Sequence, residues 1–375
     1  MNRSSSRYAL CALAGMVLAA CHSRHPAAPT AATDSERVLN IYNWADYIAP
    51  DIVPAFAKEY GIKVNYDVFD SNAVLQTKLL TGNTGYDIVV PSAQFMALQI
   101  KAGVFQKLDK SLLPNFKNVD PDLARRMESL DPGLAHAANY FWGTLGVGYN
   151  VTMIKAAMTA APVDSLRMIY EPAVVRHFRN CGVILVDEPA EIVSSVLVYL
   201  GRDAHSEKPE DLAAAATVLM AIRPYLRYIS STKDIEDLAT GEICLALGWS
   251  GDLLNAAARA GETSRGNLIE YHIPREGALL FFDMLAIPAD APHPHNAHLF
   301  INYMLRPDVS ARNSSFVHYA SSNAAAFPLI DPAVRDNRAI FPSPETRARL
   351  IPILPHSQAY ERALTRMWTR FKSGR

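Results

Sequence analysis

The sequence predicts an α/β fold built on a parallel sheet. Three observations carry that prediction. Between Val38 and Lys101 short apolar strands alternate with helices, glycine or proline marks the element ends, and Ile62, Val64, Tyr66 and Val68 alternate strictly with more polar neighbours. At 375 residues, half of them apolar, the chain suits two domains or one large one. Lys and Arg number 36 against 37 Asp and Glu. That balance, without a basic stripe, argues against a nucleic-acid partner, and the apolar content argues against disorder.

The first strand comprises Leu39, Ile41 and Tyr42 and runs out into a loop carrying Trp44, Asp46 and Tyr47. Rings around a carboxylate suit an organic cation, because a ring face attracts an ammonium and a carboxylate accepts its hydrogen bonds. Trp44 and Tyr47 would equally suit a core, and Asp46 a helix cap. A helix follows over 51–60, with Pro54 tolerated in its first turn and Gly61 at its end. The alternating strand 62–69 comes next, then a helix over 72–80 that Asp70 or Ser71 can cap. The run Tyr86 to Val90, stopped by Pro91, reads as a strand buried on both faces, and Ser92 opens a helix reaching Lys101. Two successive βαβ units imply right-handed crossovers and a ligand site beyond the carboxyl ends of the strands, where both Trp44 and Ser92 fall.

Ahead of this lies an export signal: Arg3 and Arg7, then the apolar run Tyr8 to Ala20, too short to span a bilayer as a helix. It ends in Leu18-Ala19-Ala20-Cys21, which resembles the lipobox of bacterial lipoproteins and makes Cys21 the lipidated first residue of the mature chain. The stretch 22–36, rich in Ala, Pro, Ser and Thr, reads as a flexible tether. With Cys11 removed and Cys21 lipidated, Cys181 and Cys244 remain. They are expected to form one disulfide in an oxidising compartment or to stay as two buried thiols.

Farther on, a helix is expected from Pro209 to Arg223, a short one from Asp234 to Leu238 closed by Gly241, and a strand from Ile243 to Trp249. That strand ends in a loop with a tryptophan and an acid, Trp249-Ser250-Gly251-Asp252, and the theme returns at Phe281-Phe282-Asp283 before Met284 to Ile287. Each pair alone reads as core and cap; three together at strand ends point to a site. A helix covers 297–305, Tyr319 sits in a polar loop, and a basic amphipathic helix with Trp368 ends the chain and packs against the body.

The sequence holds no phosphate loop, HExxH, GxSxG or CxxC motif, and His293 and His295 lack a third ligand nearby, so neither metal nor cofactor is expected. Asp187, Glu188 and Glu191 could form an acid/base set, but nothing supplies the rest of a glycan cleft. A binding protein is expected rather than an enzyme.

Five stretches carry a resemblance: Tyr42-Asn43-Trp44-Ala45-Asp46-Tyr47-Ile48-Ala49-Pro50, Tyr66-Asp67-Val68-Phe69-Asp70-Ser71-Asn72, Tyr86-Asp87-Ile88-Val89-Val90-Pro91-Ser92, Gly146-Val147-Gly148-Tyr149-Asn150 and Gly248-Trp249-Ser250-Gly251-Asp252. They resemble the polyamine-binding proteins of bacterial ATP-driven importers, nearest to the putrescine-binding type, and the likeness continues through Ile273-Pro274-Arg275-Glu276-Gly277 and Leu305-Arg306-Pro307-Asp308. The resemblance implies a two-lobe periplasmic binding protein fold, each lobe a mainly parallel sheet flanked by helices, hinged around a central cleft. The first lobe would hold 37–145 and 256–305, the second 146–255 and 306–375.

Carried over by motif, Trp44, Asp46, Ser92, Phe281 and Asp283 line a polyamine site from the first lobe, and Glu191, Trp249, Asp252 and Tyr319 from the second. Phe95 is a weaker candidate wall. Cys181 and Cys244 fall where the putrescine-binding type has its disulfide. The implied partners are a polyamine and a membrane permease, for a monomer held in the periplasm by lipid on Cys21. Two features depart from the family: Ala45 stands where a hydroxyl is usual, and many relatives lack a lipid tether. Phe281 in place of a bulkier tryptophan resembles the putrescine type more than the spermidine type. The rival expectations are a sensor subunit reporting polyamine to a membrane partner, and an exported hydrolase using Asp187 or Glu191.

Overall fold

The computed structural model describes Asp34, residues 36–262 and residues 267–374. The export signal and Cys21 lie outside the described residues, as does most of the stretch 22–36. Of that stretch, Asp34 and Glu36 are described and already held: the Asn296 backbone N–H donates to Asp34 Oδ2 (2.6 Å) and its side chain to the Glu36 carbonyl (2.9 Å). Among the described residues no helix is long and apolar enough to cross a membrane.

Among the described residues eleven strands form the sheet framework: β1 (Val38–Trp44), β2 (Lys63–Phe69), β3 (Ile88–Val89), β4 (Ala137–Asn150), β5 (Val183–Leu185), β6 (Tyr228–Ile229), β7 (Leu245–Trp249), β8 (Ile269–His272), β9 (Ala278–Ala286), β10 (Ala320–Ser321) and β11 (Leu350–Pro352). They hydrogen-bond in the order β2-β1-β3-β9-β4-β7-β5-β6, with β8 and β10 added to β4 and β11 to β9. The β1–β2 and β1–β3 pairs are parallel, as two βαβ units require. So are β5–β7 and β5–β6 at the far end.

Between these two parallel groups the pairing turns antiparallel. The first half of β4 lies against β9, and its second half against β7 and β8. One uninterrupted strand thus serves both groups, and β4 and β9 are buried along their whole length, which their near-continuous apolar runs permit. Strand β2 is at the edge, so the alternating face that identifies it in the sequence is only half-covered, and Val68 is exposed.

Local signals place the early helices. Gly61 adopts a left-handed conformation after Ile52–Tyr60, and Ser71 Oγ accepts from the Val74 backbone N–H (3.3 Å) to cap Asn72–Thr81. Around the acid and aromatic residues at 250–252, 281–283 and 319, the later elements differ from the sequence expectation. Asp283 lies inside β9 rather than at a turn before a strand, Ser250 to Glu262 is a helix that begins directly after β7 rather than a loop, and Tyr319 is buried against β10. For Asp283 the cause is the long antiparallel pairing of β9 with β4, which carries the strand past its local signal.

Three short strands attach to this framework across the segments that the resemblance assigns to lobes. Strand β8, placed with the first lobe, pairs with the second half of β4; β10 and β11, placed with the second, pair with the first half of β4 and with β9. The terminal helix Gln358–Ser373 packs as expected, with Trp368 buried and its Nε1 donating to Asp187 Oδ1 (2.6 Å). Lys372 Nζ reaches the same carboxylate (2.9 Å), so Asp187 is structurally engaged. His293 Nδ1 lies 3.0 Å from Asp87 Oδ2 and is engaged likewise.

Cys181 and Cys244 are bridged, with Cα atoms 5.4 Å apart, and the bridge ties the chain before β5 to the chain before β7. It closes a loop of 63 residues, a length for which chain entropy gives about 4 kcal/mol of stabilisation. Replacing both cysteines by serine is expected to lower the thermal midpoint by several degrees in a calorimetric scan. An unchanged midpoint would refute a stabilising role.

Candidate functional site

The nine residues singled out in the sequence line one cavity of about 150 Å³, joined by Ala45, Tyr47, Phe69, Asp70, Asn72 and Asp234. Strand β1 delivers Trp44 at its last position. Its indole Nε1 donates to the Val90 carbonyl (2.9 Å), and its ring centre lies 4.5 Å from that of Phe69. The indole is thereby fixed as a wall between two neighbouring strands.

Asp283 is held from two sides. Ser92 Oγ donates to its Oδ1 (2.6 Å) and the Tyr47 hydroxyl to its Oδ2 (2.7 Å). Ser92 is itself positioned by Asn72, whose Nδ2 donates to Ser92 Oγ and whose Oδ1 accepts from the Ser92 backbone N–H, both at 3.1 Å. Ser92 therefore starts its helix without capping it through the side chain.

Across the cavity Glu191, in the first turn of the helix Pro189–Tyr199, accepts from Trp249 Nε1 (2.9 Å). The Tyr319 hydroxyl donates to Asp252 Oδ1 (2.8 Å) and accepts from the Asp252 backbone N–H (3.2 Å). Gly251 makes this possible: a Cβ there would sit 2.0 Å from the Tyr319 ring. Tyr319 also meets Tyr47 edge-on, with ring centres 5.0 Å apart, and Phe281 at 6.0 Å. Edge-to-face aromatics thus connect the Asp283 end to the Asp252 end.

Asp46 stands apart. It adopts a left-handed conformation (φ 54°), and its Oδ2 lies 3.1 Å from Arg259 Nη2, both side chains being well exposed. It lines the cavity from the rim, but its carboxylate is engaged by a cation of its own chain, unlike the buried acids. Phe95 lines an adjoining cavity of about 570 Å³, which shares Asp70, Glu191, Ser231 and Thr232 with the first.

Burial in protein raises the pKa of each interior acid: Asp283 to about 6, Glu191 to about 7 and Asp252 to about 8. For Asp283, the hydrogen bonds from Ser92 and Tyr47 partly offset the loss of water. For Asp252, which keeps some surface open to the cleft, the charge of Asp234 adds to the rise and the Tyr319 hydrogen bond opposes it. Among the described residues no Lys or Arg forms an ion pair with Glu191, Asp234, Asp252 or Asp283. The cavity therefore offers uncompensated acids framed by rings, an environment that favours an organic cation with an apolar body and cationic ends.

Beyond the nine, Tyr47 contributes its hydroxyl, which holds Asp283, as well as the ring the sequence marks. Asn72, in sequence only a helix start, positions Ser92, and Asp234, in sequence only the start of a short helix, lines the same cavity.

The sequence profile of bacterial extracellular solute-binding proteins matches residues 51–342. The putrescine-binding periplasmic protein SpuD of Pseudomonas aeruginosa is 48% identical over 342 residues, covering 90% of this chain and 93% of that protein. The putrescine-binding periplasmic protein PotF of Escherichia coli is 48% identical over 342 residues, covering 91% and 92%. Among solved structures, a putative spermidine/putrescine ABC transporter from Listeria monocytogenes superposes with a TM-score of 0.80 at 31% identity, over 91% of this chain and all of that one. With the family profile matched over residues 51–342 and the fold in agreement over most of the length, this chain belongs to the bacterial extracellular solute-binding proteins.

Proposed function

We propose that this protein captures a polyamine outside the cytoplasm, putrescine in preference to spermidine, and delivers it to the permease of an ABC importer. The observation that carries the reading is the pairing of interior carboxylates, Asp283 on one side and Glu191 with Asp252 on the other, around Trp44, Trp249, Phe281 and Tyr319. Such a site binds a chain of methylenes between rings and an ammonium at each end. Attraction between each charge pair strengthens as water leaves. The names of SpuD and PotF support the putrescine preference, and the absence of any enzyme among the named relatives supports a binding role without catalysis.

The proposed working form is a monomer in the periplasm, tethered by lipid on Cys21. Its lobes are proposed as the two parallel groups of strands, one around β1, β2, β3 and the other around β5, β6, β7, with the passages near Gly146 and just before β9. Ala45 contributes only a methyl group to the wall, so the ligand's polar contacts at that end rest on Asp283 and its partners.

A thermal-shift panel of putrescine, cadaverine, spermidine, spermine, agmatine and neutral amino acids tests the reading. A ligand at a hundredfold over its Kd stabilises the folded state by about 2.7 kcal/mol, so putrescine is expected to give the largest shift and neutral amino acids none. No shift from any amine would overturn the reading.

A further inference from the structure

Asp234 is the buried acid of the cavity that neither the sequence motifs nor the relatives' names assign to anything. It opens the short helix Asp234–Thr240, is only 1% exposed, and lines the same cavity as Asp252, Trp249 and Tyr319. The backbone N–H groups of Asp234 itself and of Ile235 favour the charge on its carboxylate. Its Oδ2 has no hydrogen-bond partner. A buried carboxylate oxygen without a donor costs desolvation free energy that a purely structural acid would recover through a partner.

The surroundings of Oδ2 fit a ligand-facing role. It lies against the backbone of β7 at Gly248, where an added Cβ would come within 3.5 Å of it and 3.3 Å of Leu253. This buried, unpartnered oxygen thus borders β7 one residue before Trp249. After burial, the negative charge of Asp234 is the next contribution to the raised pKa of Asp252, and it also reaches Tyr319, so the two acids share one electrostatic environment. Two like charges there repel each other unless a cation sits near both.

Resting on the polyamine reading above, we propose that Asp234 is a direct cation-binding residue, so that one terminal ammonium of the ligand is shared between Asp234 Oδ2 and the carboxylate of Asp252. A primary ammonium carries three N–H donors and can serve both acids together, whereas a neutral or singly donating end can serve only one. The residue thereby selects for a primary amine or guanidinium terminus at the Trp249 end of the site.

The test is calorimetric titration of the intact protein with putrescine, comparing wild type with Asp234→Asn and Asp234→Ser, each of which keeps an acceptor for the local backbone N–H groups. Both variants are expected to bind putrescine about tenfold or more weakly, the loss that follows removal of a charge-assisted hydrogen bond. Their ligand-free thermal midpoints are expected to match or exceed that of wild type, since an unpartnered buried charge has gone. Unchanged affinity in variants that fold normally, or a lowered ligand-free midpoint with unchanged affinity, would show Asp234 to be structural and overturn the proposal. Wild type that binds no amine would instead refute the polyamine reading itself.

Discussion

Asp283→Asn is expected to weaken putrescine binding by about 3–5 kcal/mol, roughly a hundred- to several-thousandfold in Kd, because a buried ammonium loses its charged partner. The same change is expected to raise the stability of the ligand-free protein. Asp283 is 5% exposed, and among the described residues it forms no ion pair with a cation and accepts from the neutral donors Ser92 and Tyr47. An asparagine keeps the shape and can still accept from at least one of those hydroxyls. Binding and stability should therefore move in opposite directions, which a general packing defect cannot produce. Asp252→Asn is expected to behave alike, with Tyr319 as its retained partner. Isothermal titration and calorimetric scans of the two variants check both signs, and wild-type affinity in either would sink the cation box.

The pH dependence of the ligand-free protein gives the second large effect. The folded-state pKa values of Asp283 (about 6), Asp234 (about 6), Glu191 (about 7) and Asp252 (about 8) all lie above the ordinary 3.8 to 4.5 of these side chains. In each case burial away from water is the largest cause. For groups raised in this direction, the stabilising contribution is complete below the unfolded value and is lost as pH rises through the folded one. The ligand-free protein is thus expected to lose stability progressively between about pH 4 and pH 8 from these four groups.

A dication reverses the sign. It favours the charged acids, so binding releases protons and affinity rises with pH across the same window, while alkyl ammonium ends remain charged up to about pH 10. Thermal scans with and without putrescine near pH 5 and near pH 8 should show the ligand-induced shift growing with pH. A shift that shrinks toward pH 8 would contradict the electrostatic account.

Much of the framework was legible from local pattern. Alternation at Ile62 to Val68, the Ser71 cap, the left-handed Gly61 and the boundary prolines each act over a few residues; β1 and β2 with their helices formed where expected, and β3 formed as the shorter Ile88–Val89 within the expected run 86–90. The aromatic and acidic pairs at 44–46, 249–252 and 281–283 were visible as a repeated theme, and all of them line one cavity. Their environments were not visible. Asp46 and Asp283 are the same residue type, each near an aromatic, yet one pairs with Arg259 at the rim and the other is buried between two hydroxyls. The Tyr47 and Asn72 contacts join residues 236 and 20 positions from their partners, distances over which a linear pattern carries no geometric information.

The alternation of strands and helices at the start of the chain, the residue types of a cation site and the two cysteines available for a bridge are written in the linear order of residues. Which strands share a sheet, that β4 and β9 link the two parallel groups, and that Asp234 lines the same cavity as Asp252 emerge from the folded arrangement. The reason is physical: helix periods and caps are set by contacts within one or two turns. The charge state of a buried acid is set by water exclusion and by neighbours that the fold alone brings together.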